Sequence, residues 1–218
     1  LPHAGEGFRA LHSRVTPPPY PGRATIASCH KDQAMNAPDR PELDAETHAR
    51  VQELFALVRA GDAATLARLL GMGLVPNLRD GKGDSLLMLA AYHGHADAVR
   101  VLLQHGADAS LANDRAQTPL GAAAFKGDID VVRVLIEGGA PVDDQPDGGR
   151  TALMLAAMFD RVEIIELLLA HGANPEHAGA DGATALDLAR GMGAERAVQR
   201  LSHPSESSIP RTPKPGVE

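Results

Sequence analysis

The sequence predicts an all-α solenoid of five stacked helix-turn-helix units, three full and two divergent at the ends. A strict period of 33 residues and a near absence of aromatic side chains carry that reading. The segment from Leu86 to Ala107 (LLMLAAYHGHADAVRVLLQHGA) returns from Pro119 to Ala140 and again from Ala152 to Ala173. Leu87, Leu120, Leu153 and Leu186 hold the register, as do Ala90, Ala123, Ala156 and Ala189, and no insertion disturbs it. Exact recurrence at this period marks a repeat architecture, in which each unit buries its apolar face on its neighbours. Aromatics make up 3% of the chain and Trp is absent, so the interior is built from Leu, Ala, Val and Ile, as suits thin layers of small helices.

Each element follows from local chemistry. Residues 1–43 are broken by Pro2, Pro17, Pro18, Pro19, Pro21, Pro38 and Pro41 and show no periodicity, so they are expected to be disordered. Met35 stands just before the first helical pattern, and residues 1–34 are expected to be an upstream extension of a chain whose translation starts there. The repeat domain runs from 44 to 201. Within it Ser85, Thr118, Thr151 and Thr184 stand where a first helix begins, each with a hydroxyl able to accept from a free amide of the first turn. That helix ends near Gly94 and Gly127, which accept left-handed backbone, and Asp160 is a costlier residue at the matching place. In the second helix Val99, Leu102 and Leu103 follow the spacing of one buried face, and Gly106 closes it. The end units differ where exposure to water demands it. Arg68 and Arg200 replace Val101, Val134 and Leu167, and Ser202 replaces Leu103, Ile136 and Leu169. Residues 202–218 form a Ser/Pro-rich tail expected to be disordered.

Composition limits the functions on offer. The chain has 218 residues and is 44% hydrophobic, enough to bury a core. Its formal charge of −7 opposes general affinity for nucleic acid or an anionic membrane surface, so neither is an expected partner. Cys29 is the only cysteine, which excludes an intramolecular disulfide and fits a reducing, cytoplasmic location. No apolar run reaches the roughly 18 residues of a membrane span.

Candidate chemistry dissolves on inspection. His93 and His95 form an H-x-H with His105 one helix further on, but residues two apart do not face each other on a helix, and no metal site is expected. Asp143, Asp144 and Asp147 lack the Glu of a calcium loop, and with Pro146, Gly148 and Gly149 they are better suited to a turn. Neither a phosphate-binding glycine loop nor an arguable nucleophile-base set is present. The chain is read as non-catalytic, without cofactor.

Thr118-Pro119-Leu120, the Leu87–Ala91 run, Gly94-His95, Leu102-Leu103 and His105-Gly106-Ala107 resemble the ankyrin-repeat pattern, across about residues 44–201. The resemblance implies an ankyrin-repeat α-solenoid, and the Arg-rich, Lys-poor composition is similar to that of short free-standing bacterial members. The position often occupied by His after Thr-Pro-Leu holds Met88, Gly121, Met154 and Asp187, so the hydrogen bonds of that His are expected to be missing. Family contact positions map onto Lys82, Asp84, Tyr92 and His93, then Asp114, Arg115, Gln117, Phe125 and Lys126, then Asp147, Arg150, Met158 and Phe159. Tyr92, Phe125 and Phe159 then form one stripe, either the centre of a protein-binding groove or half-buried spacers between helices. The implied function is that of a monomeric interaction module holding a protein partner in its concave groove. The alternative is an inhibitor or immunity-type regulator of one enzyme, for which the acidic balance would suit a basic partner.

Overall fold

The computed structural model describes residues 45–203, and the expectations for the amino-terminal segment, Met35 and the carboxy-terminal tail lie outside them. Ten α-helices pair into five units: α1 (Ala45–Ala60) with α2 (Ala63–Gly71), α3 (Leu86–Tyr92) with α4 (Ala96–Gln104), α5 (Pro119–Lys126) with α6 (Ile129–Glu137), α7 (Ala152–Met158) with α8 (Val162–Ala170), and α9 (Ala185–Met192) with α10 (Glu195–Ser202). First helices pack on first helices and second on second, giving two layers with a continuous core between them. Beyond the α-helices, the described residues hold a short 3-10 turn at Pro146–Gly148 and isolated antiparallel bridges at two turn tips, Arg79 with Ser85 and Ala178 with Thr184.

The helices begin where the hydroxyls stand. Ser85, Thr118, Thr151 and Thr184 accept from the amides of Met88, Gly121, Met154 and Asp187, satisfying donors that a helix leaves open at its start. Gly94 and Gly127 take φ of 80° and 86° to turn the chain into the second helix, and Asp160 does so at 55°. Asp160 has a compensating role. Its Oδ1 accepts from the amide of Ala197 at 2.7 Å, so it caps α10 from the preceding unit, where the local residue Ala194 offers no side-chain cap.

The departure from the family's His has two outcomes. Met88 and Met154 are buried, so packing stands in for hydrogen bonding there. At Asp187 the expectation of missing bonds is corrected: its carboxylate accepts from both the amide and the hydroxyl of Thr184, and the Thr184 oxygen accepts from the Asp187 amide. These bonds hold the Asp187 carboxyl below its usual range, the Thr184 hydroxyl being the larger influence.

Candidate functional site

A groove of about 430 Å³ opens along the first helices of units two and three, under the turn tips that precede them. Its apolar floor is made by Met88, Leu89, Gly121, Ala122 and Leu155. Tyr92 and Phe125, near the ends of α3 and α5, also line it, together with the polar residues Arg59, Asp80, Lys82, Asp84, His93, Asn113, Arg115 and Gln117. Of the thirteen contact positions expected from the sequence, seven line this groove: Lys82, Asp84, Tyr92, His93, Arg115, Gln117 and Phe125.

The rings form a connected row. Tyr92 stacks on Phe125 at 6.5 Å between centroids, and Phe125 meets Phe159 edge-on at 4.7 Å. Tyr92, Phe125 and Phe159 remain 42%, 37% and 36% exposed, so each ring is anchored by its neighbours yet keeps a free face. Aromatic pairs in these geometries are favoured by their quadrupoles, and the Lys126 ammonium 5.0 Å over the Tyr92 ring adds a cation-π contact.

His93 extends the row at the other end, edge-on to Tyr92 and stacked on His95 at 6.2 Å. The expectation that these two histidines do not face each other is thereby corrected. They flank Gly94 outside either helix, where its left-handed backbone brings both rings to one side. His93 is held below the usual histidine range, first by desolvation and then by His95, Arg59 and Lys126, so the neutral ring is favoured. His95 and His105 are bonded to the backbone carbonyls of Arg59 and Val101, each at 2.8 Å.

The turn tips are held by side chains that sequence reading did not single out. Asp80 Oδ1 accepts from the amides of Lys82 and Asp84, and its other oxygen lies 3.8 Å from Arg59. Asn113 accepts from the amides of Arg115 and Gln117 and donates to Asp84 at 2.6 Å. Asp84 is therefore buried with its carboxylate turned into the protein, and Asp114 is engaged by Arg79 at 3.2 Å. Arg150 donates to the Met158 sulfur at 3.2 Å, away from the groove. The tip at Asp147 is a short 3-10 turn, Pro146–Gly148. Arg59 could have been found in the sequence, since it stands 33 residues before Tyr92.

Two layers of capped helical hairpins, with a groove of apolar and charged residues under their turn tips, define a solenoid repeat protein. The chain belongs to the ankyrin-repeat family, whose model, described as ankyrin repeats (3 copies), matches residues 54–146 and 139–211. It is similar to an ankyrin repeat protein of Pseudomonas aeruginosa, 60% identical over 67 residues, which is 31% of this chain and 39% of that protein. Over 55 residues, a quarter of this chain, it is 49% identical to ankyrin repeat domain-containing protein 29 of Homo sapiens and 46% identical to the potassium channel AKT2/3 of Arabidopsis thaliana. Those stretches span 18% and 7% of the two proteins. Ankyrin repeats generally mediate protein–protein interaction. Among the described residues no helix is long and apolar enough to cross a membrane.

Proposed function

We propose that the chain is a non-catalytic docking module that holds a partner protein along the first helices of units two to four, with Tyr92, Phe125 and Phe159 at the centre. The observation that carries this reading is the row of three contacting rings, each more than a third exposed, beside a groove lined by apolar and charged residues. Large rings at a charged rim are the usual anchors of an interface, because they bury much area with few rotamers to freeze. The proposed setting is the cytoplasm and the proposed state a monomer. The end units support the latter, with Arg68 exposed and Arg200 beside Glu166 at 3.5 Å.

Phe125→Ala tests the reading by a double measurement, denaturant melting of the free protein and titration with a partner captured from the source cells. Loss of an interface anchor should weaken binding by roughly 1 to 3 kcal/mol, with a smaller effect on stability. Unchanged affinity with a stability loss of about 3 to 5 kcal/mol would make the ring a spacer and remove it from the site.

A further inference from the structure

Unit three is hollow at its floor. Where unit two carries Met88-Leu89 and unit four carries Met154-Leu155, unit three carries Gly121-Ala122. Gly121, Ala122 and Leu155 all line the groove, and a β-carbon on Gly121 would stand 3.2 Å from Leu155 Cδ1 and from Thr118 Oγ1, so any larger residue there pushes on Leu155 and takes room from the groove. Leu89, Phe125 and Leu155 line the same groove as Gly121 and Ala122.

Charge at this hollow runs against the chain as a whole. Three cations, Arg59, Lys82 and Arg115, and two carboxylates, Asp80 and Asp84, line the groove. Both carboxylates are turned toward protein donors, Asp80 to the amides of its own turn and Asp84 to Asn113. Among the described residues neither Lys82 nor Arg115 has an ion-pair partner. The groove therefore offers an apolar recess with a polar rim, on which cations outnumber carboxylates and Lys82 and Arg115 are without an ion-pair partner among the described residues, in a protein whose formal charge is −7.

Resting on the docking function above, we propose that this hollow receives one large apolar side chain of a partner peptide whose flanking residues are acidic. An anchor entering a desolvated pocket supplies affinity, and carboxylates on either side meet Lys82 and Arg115 and set the orientation. Chemistry of this kind excludes the basic partner that the overall charge suggests.

The experiment uses the full chain and a fluorescein-labelled peptide, Ser-Glu-Asp-Glu-Phe-Glu-Asp-Ser, read by anisotropy. Controls replace its Phe by Ala or its acids by Lys, and a labelled single-stranded oligonucleotide serves as a plain polyanion. The acidic Phe peptide should bind saturably, and more tightly than each control. Gly121→Met and Ala122→Leu, which install the residues of the neighbouring units, should each weaken it at least about tenfold, as should Lys82→Glu with Arg115→Glu. Melting temperatures identify any variant that fails to fold, and two independent fillers keep the test intact. Indifference to both fillers, equal binding of the oligonucleotide, or no saturable binding would overturn the proposal. A Lys-flanked Phe peptide that binds best and is lost in Phe125→Ala would overturn the acidic assignment while leaving the docking face standing.

Discussion

Units three and four are built on the same plan and diverge where the plan leaves residues unconstrained. Thr118 and Thr151 cap their first helices with the same bond, Leu120 and Leu153 are fully buried, and Ala123 and Ala156 let the layers approach closely. The floor, however, is Gly121-Ala122 in one and Met154-Leu155 in the other. The turn tip is tied by Asn113 in one and is a short 3-10 turn in the other, and the reversal between helices uses Gly127 in one and Asp160 in the other. Fold-keeping residues are thus the ones that recur. Those that vary face the groove or reach a neighbouring unit.

The largest expected effect probes the shared plan. Leu120→Ala and Leu153→Ala should each cost roughly 2 to 5 kcal/mol in denaturant melts, by the same mechanism of lost burial plus cavity. A loss below about 1 kcal/mol for either would separate the two units at the level of the core.

A smaller effect tests the divergence at the reversal. Asp160→Ala keeps the left-handed backbone on a residue that resists it and removes the cap on α10, for an expected loss of about 1 to 2 kcal/mol. Asp160→Gly should lose less, because glycine relieves the backbone while the cap is gone. Hydrogen exchange of the Ala197 amide should rise in both variants, and an unchanged rate would remove the cap from the account.

Equal caps should give equal losses. Thr118→Ala and Thr151→Ala are expected to cost about 1 kcal/mol each in the same melts. A clear excess at Thr151 would mean that unit four depends on its cap more than unit three does, although Gln145 ties its turn tip to the Gly149 carbonyl.

The smallest effects are electrostatic. Asp62 is held low by the Thr65 amide, Asp108 by the Ser110 hydroxyl and Glu163 by a backbone amide and Arg196, as Asp187 is by Thr184. Folded values below the unfolded ones make their contribution complete above the ordinary carboxylate range, about pH 4, and lost as pH falls through the lowered values. Stability should therefore be nearly flat between about pH 5 and 7 on their account and decline below about 4. His93 is also lowered, so its contribution is complete above about 6.5 and declines as pH falls through its folded value. An NMR titration should place its midpoint below that of an unperturbed histidine. A midpoint above it would mean that a neighbouring acid outweighs the ring's desolvation and the nearby His95, Arg59 and Lys126.

Most of the fold was legible because it rests on local chemistry repeated at a fixed spacing. Cap hydroxyls, reversal glycines and the Leu/Ala register each act within a few residues. The reach of Asp160 to Ala197 was not, since it depends on how α10 docks against the preceding unit, 37 residues away. For the site, the ring row could be read because Tyr92 and Phe125 share a repeat position and Phe159 follows its equivalent, Met158. The hollow could not. Gly121 was visible as a departure from the family's His, but only packing shows that Leu155 borders the space its side chain would fill. The inward turn of Asp84 was equally hidden, because Asn113, its partner, belongs to the next unit.

The separation of fold-keeping from surface-keeping residues is tested most directly by a denaturant melt of Gly121→Met. The variant replaces a poor helix former with a good one at a position where units two and four already carry Met, and its β-carbon would stand 3.2 Å from Leu155 Cδ1 and Thr118 Oγ1, so Leu155 has to give way slightly. The account predicts a stability within about 1 kcal/mol of the parent's, the gain in helix propensity offsetting the small shift asked of Leu155, because the hollow is not required by the fold. A loss of more than about 1 kcal/mol would contradict it, showing that Gly121 is held by packing and that unit three is hollow for the sake of the stack.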